Sequence, residues 1–198
     1  FDKRSKFMHY RPTVAILNNL EFDHADIFPD LEAIKQQFHF FVRTIPGNGL
    51  IVRHQDEKNI DDVLQRGCWT STASFGGTKG EWRASLDNAD GSAFTVYHLD
   101  KKVGRVEWAL LGNHNVDNAL AAMAAANFVG VQPEVAISAL ASFKNVKRRL
   151  EVKGESKGVV VYDDFAHHPT AIATTLAGLR AKIGSARMIA VLEFGSYT

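Results

Sequence analysis

Between residues 13 and 65 the chain alternates two apolar patterns. Residues 13–17 form a continuous apolar run (Val14-Ala15-Ile16-Leu17 after Thr13), the mark of a strand buried on both faces. Residues 29–42 carry Leu31, Ile34, Phe38 and Phe41 at helical spacing. Residues 50–52 repeat the strand pattern. Residues 57–65 read as a helix opening on acidic residues, which suit the positive end of a helix dipole. This βαβα rhythm predicts a mainly parallel sheet flanked by helices. After Cys68 the period shortens to two. Residues 81–86, 93–99 and 103–108 alternate, with turn residues at 88–91 and 100–102, and predict an antiparallel meander. Alanine-rich residues 119–129 predict a helix stopped by Gly130, and residues 133–143 a second one with Val135, Ile137 and Leu140 on its apolar side.

The last quarter repeats the strand-to-helix pattern in a sharper form. Val159, Val160, Val161 and Tyr162 read as a buried strand that Asp163 and Asp164 end abruptly. Pro169 suits the first turn of a helix, where its missing N–H costs nothing, and Ile172, Leu176, Leu179 and Ile183 continue at helical spacing. Residues 187–193 read as a further strand. A basic stretch, residues 144–151, separates this unit from what precedes it. We therefore expect two domains, 1–143 and 144–198. An arginine at such a hinge can reach a phosphate bound by the neighbouring domain.

Composition narrows the classes. The 198 residues carry a net charge of +1, which argues against a broad nucleic-acid or membrane footprint. No apolar run is long enough to span a bilayer, and no signal peptide opens the chain. The single cysteine, Cys68, excludes an internal disulfide and fits a reducing cytoplasm. Phe1 and the residues after it read like the interior of a fold, so the chain is expected to be a piece of a longer protein, catalytically silent alone.

Candidate chemistry gathers in three loops. Residues 18–26 (Asn18-Asn19-Leu20-Glu21-Phe22-Asp23-His24-Ala25-Asp26) follow the first strand. Residues 112–118 lead into the alanine-rich helix. There Asn115 and Asn118 are three apart and share a face, and an asparagine amide offers the donor and acceptor that match the N6/N7 edge of adenine. The bland alternative is that Asn113 or Asn115 is an N-cap and the rest is incidental. Asp163, Asp164, His167 and His168 sit at a strand-to-helix edge, where α/β sheets place ligands. Carboxylates there suit sugar hydroxyls or a metal, and imidazoles suit phosphate or a metal; a helix cap with surface histidines is the alternative. Gly76-Gly77-Thr78-Lys79-Gly80 is not a phosphate loop, because no Gly-Lys-Ser/Thr order follows and a strand rather than a helix comes next.

Taken in order, these loops resemble those of the Mur ligases of peptidoglycan synthesis. Residues 19–26 match the family's Asn-x-x-x-Asp-His-x-Asp motif, residues 112–119 its Gly-x-His-Asn-x-x-Asn-Ala motif, and Arg148-Arg149-x-Glu151 with residues 163–169 the opening of its C-terminal domain. The resemblance implies the back half of an ATP-binding central domain followed by the start of a Rossmann-like C-terminal domain. It implies ATP and Mg2+ as cofactors, with His24 as a magnesium ligand. Asn115 and Asn118 would hold adenine, and Asp164, with Asp163, the ribose hydroxyls; His167 belongs to the same nucleotide-binding loop. Arg149 and His168 would lie near the phosphates. Lys3, Arg4 and Lys6 are implied on the substrate side. The Asp-Asp-aromatic-x-His-His-Pro form and residues 1–7 point to members that join UDP-N-acetylmuramate to the recycled tripeptide L-alanyl-γ-D-glutamyl-meso-diaminopimelate through an acyl phosphate. A member that adds L-alanine, or a nucleotide-binding module without ligase activity, are the alternatives. A dinucleotide oxidoreductase is disfavoured, because no Gly-x-Gly-x-x-Gly follows a strand. The family's phosphate loop and uridine-binding domain are expected upstream. Some members carry a modified lysine after the Asp-His motif; here that region reads Lys35-Gln36-Gln37-Phe38-His39, and no carbamylated lysine is expected.

Overall fold

The computed structural model describes residues 5–193; Lys3, Arg4 and residues 194–198 lie outside them. A short 3-10 turn, Lys6–His9, precedes β1 (Val14–Leu17), α1 (Leu31–Val42), β2 (Leu50–His54), α2 (Lys58–Gln65) and β3 (Ser71–Phe75). β4 (Trp82–Leu86), β5 (Ala93–His98) and β6 (Lys101–Glu107) follow, then α3 (Asn113–Phe128) and α4 (Pro133–Ala141). The chain closes with β7 (Glu151–Ser156), β8 (Val159–Asp163) and α5 (Pro169–Ile183).

Strands β1 to β6 form one sheet in sequence order. β1, β2 and β3 pair in parallel, β3 meets β4 at a single parallel pair (Phe75 with Trp82), and β4, β5 and β6 run antiparallel. The expected α/β architecture is therefore present. β3 was not anticipated, because Ser71-Thr72-Ala73-Ser74-Phe75 lacks an apolar run. Its backbone is recruited by β2 on one side, and the Ser74 hydroxyl accepts the Glu81 N–H at 3.1 Å on the other. Pairing decided the conformation where side-chain propensity was weak.

The period of two in β2 sorts two cores. Leu50 and Val52 face α3, where Phe75, Trp82, Phe94, Val96 and Val106 meet Val116, Leu120 and Met123. Ile51 faces the other way, with Leu17, Ile34, Val42, Ile60 and Val63 under α1 and α2. Alanines at 119, 121 and 124 are buried and let α3 lie close to the sheet. Lys35, on the α1–α2 side, is buried with its Nζ 2.7 Å from Asp62 and 3.2 Å from Glu32. Both carboxylates are held below the usual range by their hydrogen-bonded cations, Arg66 first for Glu32 and Lys35 for Asp62.

Two expectations are corrected. The strand at 159–162 exists, yet Val159 and Val161 are 63% and 54% exposed, because β8 pairs only with β7 and no described helix covers that face. Residues 187–193 form no strand: Ile189 and Val191 are exposed and no described backbone pairs with them, and a strand is defined by its ladder. No helix among the described residues is long and apolar enough to cross a membrane.

Candidate functional site

The carboxyl ends of β1, β2 and β3, the first turn of α3 and the β8–α5 loop converge on one open cleft of about 1700 Å3. Parallel strands place their following loops on a common edge, so Asn18 to Glu21, Asp23, His54 and Phe75 share a wall.

α3 begins inside the 112–118 motif. Gly112 stands before it at φ 89°, ψ 147°, a conformation open in practice only to glycine. This rules out the N-cap alternative for Asn113 and Asn115, which are already helical. Asn115 Nδ2 donates to Leu111 O at 2.7 Å. Since a carbonyl only accepts, this contact fixes which end of the amide faces Leu111 and leaves Oδ1 and the second N–H for other partners. Asn118 Oδ1 accepts from Asn18 Nδ2 at 3.1 Å, which leaves its amide N–H groups as the complementary donor. Together they can present both an acceptor and a donor, the pairing that an adenine N6/N7 edge requires.

On the opposite wall, Asp164 does not cap α5; His168 occupies that position. Its two oxygens accept the backbone N–H groups of Leu150 and Ala166, both at 2.8 Å. It thereby ties the basic stretch to the β8–α5 loop. Arg148 and Leu150, at φ 60° and 48°, turn the chain so that Arg149 lines the cleft. Arg148 points elsewhere: its guanidinium lies 4.8 Å from the Phe165 ring centroid and 3.6 Å from Asp163, a cation–π and ion-pair contact. Asp163 does not line the cleft; Asp164 does. His167 Nδ1 donates to Phe165 O at 2.9 Å, so neutral His167 has Nε2 as an acceptor. His168 Nε2 donates to Phe22 O at 3.3 Å, and its Nδ1 lies 3.5 Å from Glu21.

The two halves meet on glycine. A Cβ at Gly178, in α5, would come within 2.8 Å of the Gly112 Cα, so α5 touches the start of α3 backbone to backbone. Lys182 adds a 3.6 Å ion pair with buried Asp90. Burial alone would raise that carboxyl, but the Ser92 hydroxyl and N–H and the Lys182 ammonium hold it below the usual range. At this seam lies His114, whose buried Nδ1 has no hydrogen-bond partner among the described residues. Burial pushes its pKa down, Asp164 opposing and Arg149 adding to the fall.

His24 sits at φ 56°, its N–H donating to Asp23 at 2.7 Å and its ring 3.9 Å from Asp26. No group of three or more His, Cys, Asp or Glu side chains converges among the described residues. Magnesium prefers oxygen ligands, so the carboxylates of Asp23 and Asp26 beside His24 suit it better than the imidazole does. Lys6 is exposed and does not line the cleft, whereas Ser5 and Phe7 beside it do. The residues that sequence reasoning missed are Asn18, Glu21, His114 and Thr170. All four lie within or beside the quoted motifs, so the signal available was their place in a loop rather than their type.

At the floor of the cleft, His54 faces Asp117 at 3.7 Å, the spacing of an ion pair rather than a hydrogen bond. Asp117 raises the His54 pKa most, burial opposes, and Glu57 and Asp56 add to the rise. The Asp56 N–H, 3.2 Å from Nδ1, is lost as a bond when that nitrogen takes a proton. A raised folded pKa means stabilisation that is complete below the ordinary histidine value of ~6.5 and lost as pH rises through the folded value. Asp117→Asn should therefore lower the melting temperature more at about pH 5.5 than at about pH 8.5. Equal losses at both would show that the pair does not titrate with folding.

Comparison with known proteins places these features in context. The Mur ligase middle domain family matches residues 2–126, and the Mur ligase glutamate ligase domain family residues 148–196. The UDP-N-acetylmuramate–L-alanyl-γ-D-glutamyl-meso-2,6-diaminoheptandioate ligase of Escherichia coli K12 is 55% identical over 199 aligned residues, 100% of this chain and 43% of that protein. The chain thus spans less than half the length of this curated relative. A UDP-N-acetylmuramate–L-alanine ligase from Caldanaerobacter subterraneus is 34% identical over 97% of the chain and 42% of its own length. Among solved structures, a murein peptide ligase from Psychrobacter arcticus superposes with a TM-score of 0.71 at 47% identity, covering 93% of this chain and 38% of that one.

Proposed function

Because the chain belongs to the Mur ligase family, we propose that it forms the nucleotide-facing part of an ATP-dependent ligase that joins UDP-N-acetylmuramate to L-alanyl-γ-D-glutamyl-meso-diaminopimelate. The observation that carries this reading is the cleft itself. It gathers Asn115, Asn118, Arg149, Asp164, His167 and His168 from positions more than 50 residues apart. The choice of the tripeptide rests on the 55% identity to a ligase named for it, against 34% to one named for L-alanine. We place the change from the ATP-binding part to the ligase part at residue 144, between the two matched stretches.

In this reading Asn115 Oδ1 accepts from the adenine amine, and an Asn118 N–H donates to the ring nitrogen beside it. Asp164 and His167 offer acceptors for ribose hydroxyls at the β8–α5 loop. Asp164 keeps one lone pair per oxygen for this after its two backbone bonds. Asp163, facing Arg148, acts by holding that loop. The lactyl carboxylate takes the γ-phosphoryl group as ADP leaves. The amine nitrogen then attacks the acyl carbon, loses a proton and expels phosphate. Negative charge builds on phosphoryl oxygens in the first step; Arg149 supplies a fixed positive charge toward it, and His168 lines the same cleft at the start of α5, its ring turned to Phe22 O and Glu21. Mg2+ bound at His24 and the phosphates would add charge neutralisation when present. Lys3 and Arg4 remain substrate-side candidates, and Lys6 a weaker one, given its position outside the cleft.

The test is ADP release by the whole protein carrying this chain, supplied with ATP, UDP-N-acetylmuramate and one amine. Release should follow the tripeptide and be absent with L-alanine. Release with L-alanine alone would move the assignment to the alanine-adding ligase. Release with neither, despite bound ATP, would leave a nucleotide-binding module.

A further inference from the structure

We propose that Glu21 is a positioning residue that fixes His168 and the first turn of α5 against the loop after β1; the proposal rests on the ligase reading above for its kinetic consequence but not for its structural one. Glu21 is not among the residues placed on the nucleotide, yet it is the carboxylate on which the two walls of the cleft meet. Its Oε2 accepts from Thr170 Oγ1 at 2.7 Å and faces His168 Nδ1 at 3.5 Å. Its Oε1 accepts from Asn19 Nδ2 at 2.9 Å. Next to it, Phe22 O accepts from His168 Nε2.

Three features make this a positioning device rather than a surface contact. Both oxygens are engaged, so the side chain cannot turn without losing bonds at each end. Its partners are residues i and i+2 at the start of one helix, which fixes that helix in rotation as well as distance. A carboxylate at this place also complements the positive end of the α5 dipole. The same loop sends Asn18 to Asn118 on α3, so one segment sets both a proposed adenine contact and a proposed phosphate contact. Glu21 and His168 are 31% and 26% exposed, enough that truncation need not unfold the chain.

The expected signature is a split between turnover and binding. In the whole ligase, Glu21→Ala should lower kcat about tenfold, the loss of a charge-assisted bond, and leave the KM for ATP within about twofold. Glu21→Gln, which can still accept from Thr170, should restore most of that loss. Thr170→Val shares the interaction, so Glu21→Ala/Thr170→Val should be no slower than Glu21→Ala alone. Multiplicative losses in the double variant, or no rescue by glutamine, would overturn the proposal. Independently of any activity, the ring 15N resonances of His168 in the whole protein should move in Glu21→Ala and less in Thr170→Val. An unchanged His168 ring spectrum sinks the proposal even if the ligase is active. A wild-type protein inactive with every amine sinks the ligase reading alone, since the spectrum still decides the role of Glu21.

Discussion

On the proposed ligase reading, Arg149→Ala is expected to reduce turnover of the whole protein by about two to three orders of magnitude, the scale seen when one preorganised charge-stabilising group is removed. The side chain lines the cleft close enough to His114 to lower its pKa, whereas the Arg149 carbonyl is held by Asn145 Nδ2 at 2.8 Å whatever the side chain. Folding should therefore be spared, and the melting temperature should stay within a few degrees. Arg149→Lys keeps the charge but loses the planar fork, and should fall between wild type and alanine. Arg148→Ala is the informative control. Stacked on Phe165 and facing Asp163, Arg148 shapes the loop and should cost far less turnover. Steady-state phosphate release at saturating substrates reads all three. A loss below about fivefold in Arg149→Ala would remove this residue from the chemistry.

The second large effect is on stability. Trp82→Ala should destabilise the chain by about 3–5 kcal/mol and lower its melting temperature by roughly 10 °C. Trp82 is 1% exposed, stacked on His98 at 4.1 Å between ring centroids, and stands where the parallel half of the sheet hands over to the meander. The cavity would open between β4 and α3 in the larger core, which cannot collapse without breaking the single Phe75–Trp82 pair that joins the two halves of the sheet. Thermal melts followed by far-ultraviolet circular dichroism test this. A shift under about 2 °C would mean that the neighbouring Phe75 and Val96 close the gap.

Much of this architecture was legible in the sequence because its signals are local. The runs at 14–17 and 50–52, the alternation of 93–98, and Pro169 at the start of α5 each name their own conformation. β3 was not legible, since Ser71 to Phe75 becomes a strand through its neighbours. The exposure of Val159 and Val161 was not legible either: a run of valines reports affinity for a core, not whether a core covers it. In the site, the asparagines and the β8–α5 loop could be read from residue type and spacing. Glu21, Asn18 and Thr170 could not, because their meaning lies in bonds between residues 100 and 149 positions apart, which no local pattern encodes.

Those separations also set an order of events on the ribosome. Thr170 follows Glu21 by 149 positions, so at ~5–20 residues per second the loop after β1 is synthesised roughly 7–30 s before its partner exists. β1 to β3 and their helices can assemble in that interval from contacts close in sequence. The loop must wait in water, and its composition suits waiting: Asn18, Asn19, Glu21, Asp23, His24 and Asp26 are all solvated without cost, and the apolar Leu20 is anchored early through its carbonyl by Asn59 at 2.8 Å. The two walls of the cleft are thus joined by bonds that cannot form until residue 170 has been made, and a nascent chain stalled before it would carry a folded sheet with a binding edge still open.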